Sequence, residues 1–174
     1  AKSLNTVAWQ VYEQVTPKVG LQYLKNMNFS SIVKDDYTLA TSLGGFTKGV
    51  SPLEMASAYA TLENDGMFRQ PNCIKSIVDA DENVVYSSQM AEVSLYEKDA
   101  TRTMTDVLTT VMDSGTGAAL KLSNMPCAGK TGTTNDHKDG WFVGYTRYYT
   151  TSVWVGCDYP KSISNLSGST YPGQ

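Results

Sequence analysis

From Ser3 to Gln14 the apolar residues Leu4, Val7, Ala8, Val11, Tyr12 and, just beyond, Val15 recur at helical spacing, which predicts an amphipathic helix. Pro17 either ends that segment or opens the next one as its first helical residue. Val19, Tyr23, Leu24 and Met27 then give a second short helix, and Asn26 to Ser31 reads as a polar loop. Ser42 to Val50 is punctuated by glycines and reads as a loop as well. The clearest helix start follows it: Ser51 as N-cap, Pro52 as first helical residue, and Glu54 three positions on to complete a capping box. Leu53, Ala56, Tyr59, Ala60 and Leu62 form its apolar face, whose small residues predict close packing against another helix. Asp65-Gly66 ends it. A further helix is predicted from about Leu95 to Met112, with Met104, Val107, Leu108, Val111 and Met112 on one stripe, broken by Gly115-Thr-Gly-Ala-Ala119.

The period changes in two places. Ile74 to Val78 and Val84 to Tyr86 flank a turn at Asp79-Ala-Asp-Glu-Asn83 and predict a small hairpin. Near the C-terminus three runs rich in β-branched and aromatic residues follow one another. These are Cys127 to Asn135, Asp139 to Arg147 and Tyr149 to Gly156. They read as three consecutive antiparallel strands, with Lys130-Thr131-Gly132-Thr133 on the first, at a sheet edge. Alternation puts Thr131 and Thr133 on one face and Lys130 on the other. Helices followed by a terminal antiparallel sheet predict an α+β arrangement.

Composition narrows the possibilities. The chain has 174 residues, 41% hydrophobic and 18% charged, enough for one domain with a real core or most of a larger one. A net charge of −3 gives no argument for nucleic acid. Cys73, Cys127 and Cys157 show no metal-ligand spacing, and His137 is the only histidine, so no metal site is expected. The odd cysteine count argues against a disulfide framework. No apolar run reaches membrane-spanning length and Ala1-Lys2-Ser3 begins no signal peptide. The sequence reads as cut from something longer.

Two short motifs bear on chemistry. An edge strand carrying Lys130, Thr131 and Thr133 can offer an ammonium, hydroxyls and free backbone N–H groups to an anion or an extended peptide, and Gly132 allows close approach. The tripeptide alone does not separate such a role from chance. Ser3-Leu4-Asn5 alone reads as a serine N-cap of the first helix. Taken together, Ser-x-Asn followed much later by Lys-Thr-Gly resembles two of the three signatures of the penicillin-recognising serine acyl-transferases. The likeness extends over Leu43 to Ala56, Gly115-Thr-Gly117, Ala128 to Asn135 and Asp139 to Thr146. Those segments resemble the transpeptidase domain of class A penicillin-binding proteins, most nearly the bifunctional enzymes of Gram-positive bacteria. The resemblance spans Ser3 to Gly173.

The resemblance implies a β-lactamase/transpeptidase-like fold, with helices packed on an antiparallel sheet, and a D,D-transpeptidase chemistry. A serine attacks the D-Ala–D-Ala carbonyl of a peptidoglycan stem peptide, D-alanine leaves, and a neighbouring amine takes the acyl group; β-lactams acylate the same serine. It implies Ser3 in the proton path to the leaving amine. Asn5 would hold the donor's amide carbonyl and the lysine of the nucleophile motif. Lys130 would supply positive potential and a hydrogen bond to Ser3. Thr131 and Thr133 hydroxyls would bind the terminal carboxylate, with Gly132 keeping the strand open. The Thr133 N–H, with that of the nucleophile, would form the oxyanion hole. It implies no cofactor, and a place on the extracytoplasmic face of the bacterial cell membrane, anchored through a segment outside these residues.

The family's nucleophile motif, Ser-x-x-Lys, precedes Ser-x-Asn. Ser31-Ile-Val-Lys34 fits the pattern but follows it, and the polar run Asp35-Asp36-Tyr37-Thr38 does not continue a buried helix. The expectation is therefore that residues 1–174 are the C-terminal portion of one transpeptidase domain, incomplete at both ends. The Ser-x-x-Lys segment would be supplied by an N-terminal fragment of the same domain, within the longer polypeptide or as a separate chain. Alone, these residues are expected to be inactive and poorly stable, with apolar faces exposed around Leu53–Leu62 and Met104–Met112. Trp141, Phe142 and Trp154 are expected in the sheet core, and His137 in solvent. The alternatives are a D,D-carboxypeptidase or β-lactamase-type hydrolase, or a non-catalytic β-lactam-binding module.

Overall fold

A computed structural model describes residues 1–174. Helices α1 (Asn5–Val15) and α2 (Pro17–Asn26) meet at Thr16, whose backbone takes a positive φ of 73°. Pro17 opens α2, as its missing N–H allows at a first helical position. That helix runs through Asn26, into what the sequence marks as loop, and Leu21 is fully buried. A long connection with two 3-10 turns leads to α3 (Pro52–Glu63). Its buried pivot is Asp36, 1% exposed, whose carboxylate accepts from Val33 N (2.8 Å), Thr47 N (2.7 Å) and Thr47 Oγ1 (2.7 Å). The Val33 N–H is the largest cause holding that carboxyl below its usual range; burial opposes it.

α3 starts as the sequence predicts. Ser51 Oγ accepts from Glu54 N (3.2 Å) and Glu54 Oε2 accepts from Ser51 N (2.7 Å). The other oxygen of Glu54 accepts from Ser30 N and Oγ, tying the preceding loop to the helix start. The small residues of α3 pack mainly on strands. Ser57 Oγ donates to Arg69 O (3.3 Å), and Tyr59 meets the edge of Tyr145 with ring centroids 6.3 Å apart.

Strands β1 (Met67–Arg69) and β4 (Glu92–Ser94) pair antiparallel and bracket the hairpin β2 (Ser76–Val78) and β3 (Val84–Ser87). The β1–β4 pair has no signal in the sequence, being three residues on each side, closed over a long separation. Helix α4 (Lys98–Ser114) begins three residues later than its periodicity suggests. It buries Thr101, Leu108, Val111 and Met112, while Met104 is 46% and Val107 50% exposed. Two of the five residues of the expected stripe are therefore uncovered.

The sheet β5 (Ala128–Thr133), β6 (Gly140–Tyr145) and β7 (Thr150–Val155) is antiparallel in that order, with β5 at one edge. Lys130 faces Val143 in register and Thr131 faces Phe142, so lysine and threonine lie on opposite faces. On the lysine face, Ala128 and Tyr145 bury with Leu108 of α4, and Tyr59 and Leu62 of α3 cover them. Residues 163–173 cross the threonine face, where Leu166 and Pro172 lie against Gly140. Phe142 is buried, while Trp141 and Trp154 are only half-buried and meet at a tilt, with ring centroids 6.4 Å apart. A second core gathers Met27, Phe29 and Phe68. Between the two cores opens an apolar cleft of about 570 Å³, lined by Leu24, Phe46, Met55, Tyr59, Leu62 and Met104 among others.

Candidate active site

Lys130 sits on the edge strand β5 and is half-buried. Its ammonium donates to Ser3 Oγ at 2.8 Å and to Thr131 O at 2.6 Å. Both partners are neutral oxygens, and burial holds the lysine below the usual ammonium range. A half-buried cation satisfied only by neutral acceptors keeps its positive potential for an incoming anion.

Ser3 does not cap α1. The N-cap is Leu4, which makes no side-chain capping bond, and Ser3 itself has a φ of 54°. The left-handed backbone at Ser3 turns its hydroxyl to Lys130, away from the helix N–H groups that a cap would serve. The preceding residues are held by the turn after α4: Thr116 N donates to Ala1 O at 3.2 Å. Asn5 opens α1, is exposed and has no side-chain hydrogen bond within the chain.

Thr134 N donates to Asp139 O (3.1 Å), so the alternation of an antiparallel ladder also turns the N–H groups of Gly132 and Lys130 toward β6. Thr131 and Thr133 accordingly direct theirs to the free edge. Thr131, 8% exposed, places its hydroxyl 2.6 Å from Thr116 Oγ1. Thr133 is exposed, and its Oγ1 accepts from Gly168 N at 3.0 Å. The arrangement offers an ammonium, two hydroxyls and outward N–H groups along one strand edge. That combination can bind an extended peptide with a terminal carboxylate and stabilise a developing oxyanion.

The fold therefore brings Ser3, Lys130, Thr131, Gly132 and Thr133 together, with Asn5 one residue beyond the turn at Leu4. Ser31 lies outside any helix and Lys34 opens the 3-10 turn Lys34–Asp36, so the two do not share an α-helix. His137 is exposed in the turn after β5, as expected, and its ring Nδ1 lies 2.7 Å from Leu166 O. Two participants are absent from the sequence reading as site residues. Thr116 was legible as part of a helix-breaking glycine turn and of a segment that carries the family resemblance, with no role assigned to it, and Gly168 carries no local signal at all.

A family profile described as "Penicillin binding protein transpeptidase domain" matches residues 1–162. Penicillin-binding protein 4 of Bacillus subtilis is 35% identical over 94% of the chain, which spans 26% of that relative. Penicillin-binding protein 1A of Aquifex aeolicus is 36% identical over 97% of the chain, which spans 23% of it. Among solved structures, penicillin-binding protein 1A of Haemophilus influenzae superposes with a TM-score of 0.77 at 20% identity, covering 91% of this chain and 29% of that one. The chain thus spans about a quarter of the length of the curated relatives it matches.

Proposed function

The chain belongs to the penicillin-binding protein transpeptidase domain family, among its class A members, and from that premise we propose that it forms the C-terminal half of a D,D-transpeptidase active site. In this reading it cross-links peptidoglycan stem peptides and is acylated, through a neighbouring segment, by β-lactams. The observation that carries the reading is the hydrogen bond from Lys130 Nζ to Ser3 Oγ. It joins the two motifs across almost the whole chain, with no carboxylate to neutralise the lysine.

The chemistry follows from these groups. A nucleophilic serine attacks the carbonyl carbon of the penultimate D-alanine, and its proton passes toward the leaving amine through Ser3. The C–N bond breaks, terminal D-alanine departs, and an acceptor amine displaces the serine oxygen from the acyl group. Lys130 keeps the Ser3 hydroxyl oriented and lends positive potential. The hydroxyls of Thr131 and Thr133 receive the terminal carboxylate, and the outward Thr133 N–H supplies one oxyanion donor. Asn5, exposed and without a partner in the chain, is free to hold the donor's amide.

The nucleophile is assigned to a Ser-x-x-Lys segment outside residues 1–174. Two features support this. The apolar cleft between the cores is lined by residues of α2, α3 and α4 that a buried helix would cover. Helix α1 buries none of its residues, although Leu4, Val7 and Val11 form an apolar stripe. No helix of the chain is long and apolar enough to cross a membrane; a membrane anchor and extracytoplasmic exposure belong, in this reading, to the longer protein.

Intact-mass analysis after incubation with a penicillin tests the proposal on a protein that carries this chain together with the segment preceding it. One penicilloyl adduct is expected on the Ser-x-x-Lys peptide and none within residues 1–174. Lys130→Met should slow acylation by about a hundredfold or more. An adduct on Ser31, or wild-type acylation that Lys130→Met leaves unchanged, would overturn it.

A further inference from the structure

The segment 163–173 is tied to the β5–β6 turn through Ile163 and Leu166 and to β5 through Gly168. Ile163 N donates to His137 O (3.0 Å), and the His137 ring, through Nδ1, bonds Leu166 O (2.7 Å). Leu166 is fully buried against Gly140, where an added Cβ would come within 2.7 Å of its Cδ1. Thr170 closes the segment on itself, accepting from Ser167 N (2.9 Å) and donating to Asn165 O (3.0 Å). From this braced loop Gly168 N reaches Thr133 Oγ1 at 3.0 Å.

Resting on the transpeptidase reading above, we propose that Gly168 is a positioning residue for carboxylate recognition: its N–H fixes the Thr133 hydroxyl so that the hydroxyl proton faces the ligand. A threonine hydroxyl has one proton and two lone pairs. With one lone pair held by the Gly168 N–H, the proton is left for the free edge of β5, the side on which an anion arrives. A hydroxyl already turned to donate meets a carboxylate without first giving up another bond, and hydrogen bonds to charged acceptors are the strong ones. The position requires glycine. A Cβ at 168 would lie 2.8 Å from both Gly132 N and Gly132 O and would also strike Trp141 O, all of them backbone atoms that cannot swing aside. Any side chain there lifts the loop from the sheet and withdraws the N–H from Thr133. His137 acts at one remove, since its ring bond to Leu166 O keeps the loop on the turn that follows β5.

The test compares benzylpenicillin with its methyl ester, which keeps the lactam and removes the negative charge, in the protein carrying the complete domain. Second-order acylation constants are measured for wild type, Gly168→Ala and His137→Ala, with thermal unfolding of each. Gly168→Ala should slow acylation by benzylpenicillin about tenfold and leave the ester within about twofold, so that the preference for the charged ligand collapses. His137→Ala should move the same ratio in the same direction by about threefold, and it decides the matter if Gly168→Ala does not fold. Equal losses on both ligands, or an unchanged ratio in a reactive protein, would overturn the inference alone. A wild type that reacts with neither ligand would overturn the transpeptidase reading and this inference with it.

Discussion

The two halves of the candidate site are built differently. Strand β5, which brings Lys130, Thr131 and Thr133, is paired to β6 along its whole length and buries Ala128 and Thr131. Helix α1, which begins two residues after Ser3, buries nothing, and Leu4, Val7 and Val11 are each more than half exposed. The strand half is held by contacts within the chain. The helix half holds Ser3 by one side-chain bond to Lys130 and one backbone bond from Thr116 to Ala1, while its apolar stripe faces outward. A site can thus have its geometry set by a finished sheet even where the neighbouring layer still lacks a cover.

The largest effect expected from this contrast comes from truncating one apolar residue in each half. Leu108→Ala, beneath Ala128 and Tyr145, should cost about 3 kcal/mol in urea unfolding. Val11→Ala should change stability by less than about 0.5 kcal/mol in residues 1–174 alone. With the Ser-x-x-Lys segment present, Val11→Ala should become costly by about 1–2 kcal/mol as its side chain is covered. Equal costs in the isolated chain would dissolve the contrast.

A smaller effect belongs to Asp36, which braces the loop leading to α3. Asp36→Ala leaves Val33 N and Thr47 N without their acceptor in a buried place and should cost about 2 kcal/mol. The carboxyl is held below its usual range in the folded chain. Its contribution is therefore full above the unfolded-state pKa and is lost as pH falls through the folded one. Wild type and variant should converge in stability in acid, and parallel curves there would remove Asp36 from that role.

The smallest effect lies at the site itself. Burial holds Lys130 below the ordinary lysine range. Between the folded and unfolded titrations the unfolded chain binds the extra proton, so this group makes stability rise with increasing pH through that alkaline interval. Lys130→Met should flatten that rise. An undiminished slope in the variant would show that the lysine is fully hydrated in the folded state.

Much of this was legible along the chain because it depends on neighbours in sequence. The capping box at Ser51 and Glu54 is a local hydrogen-bond exchange, and β5, β6 and β7 are joined by short turns, so their pairing follows from strand pattern alone. The α+β class and the opposite faces of Lys130 and Thr131 follow in the same way. Less was legible where one element depends on another far away. Periodicity placed Met104, Val107, Leu108, Val111 and Met112 on one stripe of α4, but it reports which residues share a face and not which of them are covered: Leu108, Val111 and Met112 are buried, while Met104, on the cleft, and Val107 are exposed.

Ser3 shows where the division falls. Sequence by itself determined that a serine, a lysine and two threonines were available in a recognisable order, and that the lysine and threonines shared an edge strand. Local preference assigned Ser3 to a helix cap, because serine before a helix satisfies free N–H groups at little cost. The family resemblance implied a bond from Lys130 instead, and the tertiary structure shows that bond in place of the cap. The bond from Thr116 to Ala1 and the half-buried ammonium of Lys130, in need of an acceptor, outweigh a cap that water can replace, and they turn the hydroxyl toward the sheet. The same holds for Gly168, whose small size has no meaning along the chain and becomes a requirement only where its backbone lies on that of Gly132.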